Sequence, residues 1–205
     1  MHLFRHLLLD LLKNKMLLIY AVILCVISFS LWQFSGSYEK AVVSLQNITL
    51  LICPLITLVF SSSYLYNSRD FMALLLTQPL RRSQVFWAFF GALALALSLV
   101  VLIGMGIPIM LYGQTEAAVL LLFLSLLLQL VLVAMAAWLA FRIQDKAKGL
   151  GAVLLVWLFF TLVYDGIALF ALYQFQDYPL MLPVGLLTSF NPIDLSLVSL
   201  LLQLD

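Results

Sequence analysis

The sequence predicts an all-α polytopic membrane protein, and three observations carry that prediction. Hydrophobic residues make up 65% of the 205-residue chain and charged residues only 9%, whereas about a quarter of a soluble domain is charged. The mean hydropathy is +1.18. The apolar residues gather in five runs near the length of about 20 residues that a helix needs to cross the hydrocarbon core. Such runs are too long for strands, and a helix satisfies its own backbone in lipid.

The first fifteen residues come before these runs. His2, Arg5, His6, Asp10 and Lys13 stand among seven leucines and phenylalanines, and the polar positions recur at helical spacing. That pattern describes an interfacial helix over residues 1–15 rather than a span. No small-residue cleavage site follows, so a cleavable signal peptide fits poorly. His2, His6 and Asp10 at i, i+4 and i+8 could ligate a metal on one face, but a plain polar stripe is the stronger reading, and no metal site or cofactor is expected. Cys25 and Cys53 lie inside apolar runs without CxxC spacing, as core thiols do.

The expected spans are residues 16–34, 48–66, 85–112, 117–141 and 149–173. Pro54 and Pro108 fall inside spans, where they should kink the helix. The third run exceeds one upright span, so Gly104-Met105-Gly106-Ile107-Pro108 is a candidate bend. With the N-terminus cytoplasmic, nine of the ten cations lie inside and only Lys40 outside, which fixes the orientation by the positive-inside rule. Trp32, Tyr38, Tyr112, Tyr173 and Tyr178 would form an aromatic belt at the outer interface. After Tyr173, Pro179, Pro183, Gly185 and the Asn191-Pro192-Ile193-Asp194 turn break the apolarity into short pieces. Residues 174–205 therefore read as short helices on the outer side.

Between the second and third runs lies residues 67–84, with three of the ten basic residues and an amphipathic pattern. A short helix over residues 69–79 is expected there. Asp70 would favour its dipole, Leu74, Leu75 and Leu76 form its apolar body, and Pro79 closes it. Gln78 precedes the proline, Ser83 would cap the next span, and Arg81 and Arg82 would anchor that span at the headgroups. The plain reading is an interfacial anchor; the sharper one is a lever that docks on a soluble motor.

The chain has no phosphate loop, HExxH or GxSxG element, so catalysis by this chain alone is not expected and any ATP must be used by a partner. Asp165, beside Tyr164 and Gly166, is the one charge well inside a span. Placing it there costs about 2.5 to 3.5 kcal/mol on insertion scales, so it should face protein or water. A substrate or proton path and a structural hydrogen-bond acceptor remain equal readings of Tyr164 and Asp165. The cations form no continuous basic face, which excludes nucleic acid as a partner.

The N-terminal interfacial helix, the proline-bearing second span and Met72-Ala73-Leu74-Leu75-Leu76-Thr77-Gln78-Pro79-Leu80-Arg81-Arg82 resemble the permease subunits of ABC-2 type transporters. Residues 156–165, Val-Trp-Leu-Phe-Phe-Thr-Leu-Val-Tyr-Asp, and Asn191-Pro192-Ile193-Asp194 are similar to the NosY branch, the permeases of the NosDFY system that matures the copper centres of nitrous oxide reductase. The resemblance covers nearly the whole chain as a single ABC-2 type transmembrane domain, 1–205. It implies a homodimer in the inner membrane, with a NosF-like ATPase docking on the coupling helix through Asp70, Leu74, Leu75, Leu76, Gln78, Pro79, Arg81 and Arg82. It also implies a periplasmic NosD-like protein at the outer face, where Asn191, Pro192 and Asp194 lie. Two departures stand out: Asn67-Ser68-Arg69-Asp70 keeps one acid where the family often has a pair, and the family's sixth span after the Asn-Pro turn is not found before Asp205. An exporter of a lipid-like or drug-like substrate and a non-transporting assembly scaffold are the alternatives.

Overall fold

The computed structural model describes residues 2–112, 115–164, 166, 167, 170 and 191. The described chain is helical, with no strand among the described residues. In order it forms α1 (His2–Leu12), α2 (Lys15–Phe34), α3 (Tyr38–Asn67), α4 (Arg69–Leu76), α5 (Arg82–Val101), α6 (Ile107–Tyr112), α7 (Glu116–Arg142) and α8 (Lys146–Leu158). A π-helical turn, Leu102–Gly106, joins α5 to α6 without a break, and a second, Phe159–Val163, extends α8. Five of these units are long and apolar enough to cross a membrane: Lys15–Phe34, Lys40–Asn67, Arg82–Tyr112, Glu116–Arg142 and Lys146–Val163. The chain is therefore an all-α polytopic membrane protein, as the run lengths predict.

The second span begins earlier than its composition predicts. The charges of Glu39 and Lys40 read as a loop, yet only Ser35, Gly36 and Ser37 separate α2 from α3, with Gly36 at φ 70° completing the turn. Ala41, Val42 and Leu45 are buried one turn further on. The burial of Val42 and Leu45 against Val101, Met105 and Ile109 carries the helix past the length that the membrane core needs, since 30 residues rise about 45 Å. The expected Ser83 cap is also displaced: the chain enters α5 at Arg81, whose extended backbone N–H donates to Gln84 Oε1 at 3.3 Å. A glutamine at the third helical position supplies the cap that serine was expected to give.

The candidate bend at Gly104 to Pro108 is the π turn. Proline has no N–H and cannot satisfy the carbonyl four residues before it, so widening the helix there absorbs the mismatch. Gly104 also lets α2 approach: a Cβ on it would stand 2.7 Å from Leu24 Cβ. We expect Gly104→Ala to push α2 away and lower the melting temperature in detergent, whereas Gly151→Ala, with open space around it, should be neutral. Equal melting temperatures for the two variants would remove this role for Gly104. Pro54 sits inside α3, which continues through it.

The centre of the bundle is polar for a chain this apolar. Gln46, Thr49, Thr57, Ser61 and Ser62 of α3 and Ser125 and Gln129 of α7 are all buried. Thr57 Oγ1 donates to Gln129 Oε1 at 2.9 Å, and Tyr20 OH donates to Cys53 Sγ at 3.0 Å. In lipid such bonds hold helices together, each by about 0.6 to 2 kcal/mol. The outward faces carry exposed Val22, Val26, Val119, Phe123 and Leu155, as lipid contact requires.

Candidate coupling site at the basic end

The end of α3, the short α4 with Arg69, and the ends of α5, α7 and α8 with Arg81, Arg82, Arg142, Lys146 and Lys148 meet at one end of the bundle. α1 joins them, because Leu3, His6, Leu7 and Asp10 share a pocket of about 360 Å³ with Tyr64, Asn67, Ser68 and Phe71. Lys40 lies in the first turn of α3, at the opposite end. There Gln33 Nε2 donates to Tyr112 OH at 3.4 Å, and the Trp32 and Tyr38 rings stand 6.1 Å apart. Tyr173 and Tyr178, the other members of the expected belt, lie outside the described residues.

The loop helix forms as α4, Arg69–Leu76, with Asp70 in its first turn. It stops three residues short of Pro79: Thr77 closes it, with Oγ1 donating to Leu74 O at 2.7 Å. Gln78, Pro79, Leu80, Arg81 and Arg82 then form an exposed connection into α5. The three leucines do not act alike. Leu75 is 7% exposed and Met72, one turn earlier, 8%; both join the core. Leu74 is 59% exposed, Leu76 45% and Phe71 47%. Steps of about 100° around a helix axis make this division unavoidable. Leu75 thus fixes α4 to the bundle, and the large apolar side chains it leaves exposed are Phe71, Leu74 and Leu76.

Arg69 binds α4 to the far connection between α7 and α8. Its guanidinium donates to the carbonyl oxygens of Ala140, Ile143 (2.6 Å) and Gln144, and its Cζ lies 4.3 Å from the Tyr66 ring centroid. Ala140 O belongs to the last turn of α7, whose carbonyls lack helical partners, while Ile143 caps the helix and Gln144 follows it; a cation at this C-terminus also complements the helix dipole. Tyr66 OH donates to Ile143 O at 3.0 Å, and Lys146 Nζ donates to Asn67 Oδ1 at 2.7 Å. Asp145 caps α8, with Oδ1 accepting from Lys148 N at 2.9 Å. Gly149 makes the clamp possible, because a Cβ on it would overlap the Tyr66 phenol. The two connections at this end are therefore one mechanical unit: displacement of α4 pulls on the ends of α3, α7 and α8 together.

The remaining candidates are placed only in part. Tyr164 is half-buried, its ring 6.3 Å from Phe159 and 6.4 Å from Phe160. Asp165, Pro192 and Asp194 lie outside the described residues, as do residues 174–190. Asn191 is fully buried, and its Nδ2 donates to Phe160 O at 2.9 Å. Phe160 lies in the π segment of α8, where carbonyls lose their regular helical partner, so Asn191 satisfies a group that the widened turn frees. His6 and Asp10 line the pocket beside Tyr64 and Asn67, and no group of three His, Cys, Asp or Glu that could hold a metal ion occurs among the described residues. Sequence reading placed Arg69 at the start of the loop helix and in the cation count but gave it no partner; its acceptors are 71 to 75 residues downstream, and no local pattern marks them. No family model matches the chain and no curated protein matches it.

Proposed function

We propose that the chain is the membrane-spanning permease subunit of an ATP-binding cassette complex, with α4 as the element that receives a separate ATPase. The observation that carries this reading is the division of α4: one face buried through Met72 and Leu75, the other presenting Phe71, Leu74 and Leu76 beside Arg81 and Arg82. A helix meant only to float at the interface has no need of a clamp, yet Arg69 ties this one rigidly to the α7–α8 connection. A stiff lever with an apolar tip fits a motor that moves.

The resemblance to NosY-type permeases narrows the proposal to the maturation of nitrous oxide reductase. The partners would be a NosF-like ATPase at α4, a second copy of the chain, and a periplasmic NosD-like protein at the opposite end. The membrane would be the inner membrane, with the N-terminus and all nine clustered cations cytoplasmic. In a background lacking Cys25 and Cys53, a cysteine at Ser37 should react with an impermeant thiol reagent added to intact cells, while one at Gln144 should not. Labelling at Gln144 would reverse the orientation and remove α4 from the reach of a cytoplasmic ATPase.

One feature favours a second reading. A cavity of about 630 Å³ opens sideways between α2, α3 and α8, lined by Ile19, Tyr20, Ile56, Val59, Phe60 and Leu154 among others. Its apolar walls suit an acyl chain or an apolar drug, the cargo of an exporter. Deleting the gene tests the two readings together: loss of reductase copper centres supports maturation, whereas intact centres with an altered lipid or drug phenotype support export. In either case an ATP-hydrolysing subunit should copurify in mild detergent, and a chain isolated from its native membrane without one would contradict both.

A further inference from the structure

Two cavities on the α5 and α7 side of the basic end lie next to each other and share two walls. One, about 540 Å³, is lined by Trp87, Phe90, Ala134, Trp138 and Arg142; the other, about 550 Å³, is lined by Arg69, Leu76, Arg82 and Gln144 among others. Both are walled by Phe86 and Phe141, whose ring centroids stand 5.5 Å apart. The result is a groove with a basic mouth and an aromatic floor. Trp87 and Trp138 are 61% and 62% exposed, so its walls open outward from the bundle.

The geometry points to an anionic phospholipid as the occupant of this groove. Ala134 precedes Arg142 by two helical turns, so the groove descends about 12 Å from its charged mouth, a depth that takes the upper half of an acyl chain. Trp87, Phe90 and Trp138 belong to helices of membrane-spanning length, where a soluble partner cannot reach. At the mouth, Arg82 and Arg142 have no carboxylate partner among the described residues, while Arg69 is held by backbone carbonyls rather than by an acid. Two unneutralised guanidinium groups at the headgroup level attract a phosphate, and each basic residue near an anionic surface strengthens binding about fivefold. Arg82 opens α5 directly after the exposed connection from α4, so the lipid would brace the base of the lever.

The test uses the two tryptophans as reporters. The full chain carrying Trp32→Phe and Trp157→Phe is reconstituted in phosphatidylcholine vesicles containing brominated phosphatidylglycerol or brominated phosphatidylcholine. Half-maximal quenching should need roughly 25-fold less of the brominated phosphatidylglycerol, about fivefold for each arginine. Arg82→Gln with Arg142→Gln should abolish the preference, and Ala134→Phe, which fills the groove without touching a charge, should weaken quenching by phosphatidylglycerol. Equal quenching by the two lipids, a preference that survives loss of both arginines, or indifference to Ala134→Phe would each overturn the proposal. So would tryptophans that neither lipid reaches, because a protein surface then covers the groove. The unmutated chain gives the same answer independently: lipid retained through detergent purification should be enriched in anionic species over the membrane it came from, and an unenriched lipid fraction overturns the assignment.

Discussion

Replacing Arg69 with alanine is expected to loosen the whole basic end while leaving the spans inserted. The substitution removes three donated hydrogen bonds to Ala140, Ile143 and Gln144 and a cation stacked on Tyr66. Charged donors contribute about 1.5 to 3 kcal/mol where buried, but Arg69 is only half-buried, so a total near 2 kcal/mol is the working figure. Amide hydrogen exchange over residues 69–77 and 143–146 should accelerate roughly 30-fold, since local opening there no longer breaks the clamp. Arg69→Lys should not restore protection, because an ammonium cannot reach three carbonyls from one planar fork. Unchanged exchange in Arg69→Ala would mean that α4 and the α7–α8 connection move independently, and the lever would lose its mechanical basis.

The second large effect separates Leu75 from its neighbours. Leu75→Asp places a carboxylate in a site now 7% exposed and packed with Met72 in the core; a buried charge without a partner costs several kcal/mol, so α4 should detach. Its signature is faster exchange across α4 and lower thermal stability. Leu74→Asp and Leu76→Asp alter exposed positions, where substitutions shift stability by no more than about 0.5 kcal/mol. They should leave exchange and melting temperature at the level of the unmutated protein and instead weaken the proposed ATPase contact, since a leucine buried at an interface contributes about 1.5 to 3 kcal/mol. Together they should lower partner binding 100-fold or more. Stable Leu75→Asp protein with protected α4 amides would show that the buried face has been misplaced.

The sequence discloses the helices well and the ties between them poorly, for a physical reason. The apolar spans, the separate N-terminal helix α1 and the irregular turn before Pro108 follow from apolar run length, local periodicity and the chemistry of proline, all of which act within about 20 residues. The α2–α3 turn was obscured because Glu39 and Lys40 look like loop residues, while the burial of Val42 and Leu45 against Val101 and Met105 depends on packing some 60 residues away. Three successive leucines in α4 guarantee that some face outward but not which; the choice becomes visible only through Met72, one turn before Leu75. The Arg69 clamp and the Asn191 bond to Phe160 pair a side chain with backbone carbonyls, which every residue possesses, so no residue type at the acceptor end betrays them.

Site-directed photo-cross-linking from α4 tests the proposed role most directly. A benzoyl-phenylalanine at position 74, in the chain expressed in its own cells, should join it to a protein that carries a phosphate-binding loop and hydrolyses ATP. The same probe at position 75 should give only intramolecular products, and the intermolecular adduct should fall sharply when Leu76→Asp is added. If position 74 captures no ATP-hydrolysing protein while the complex is otherwise intact, α4 is an interfacial anchor and the permease reading fails at its central point.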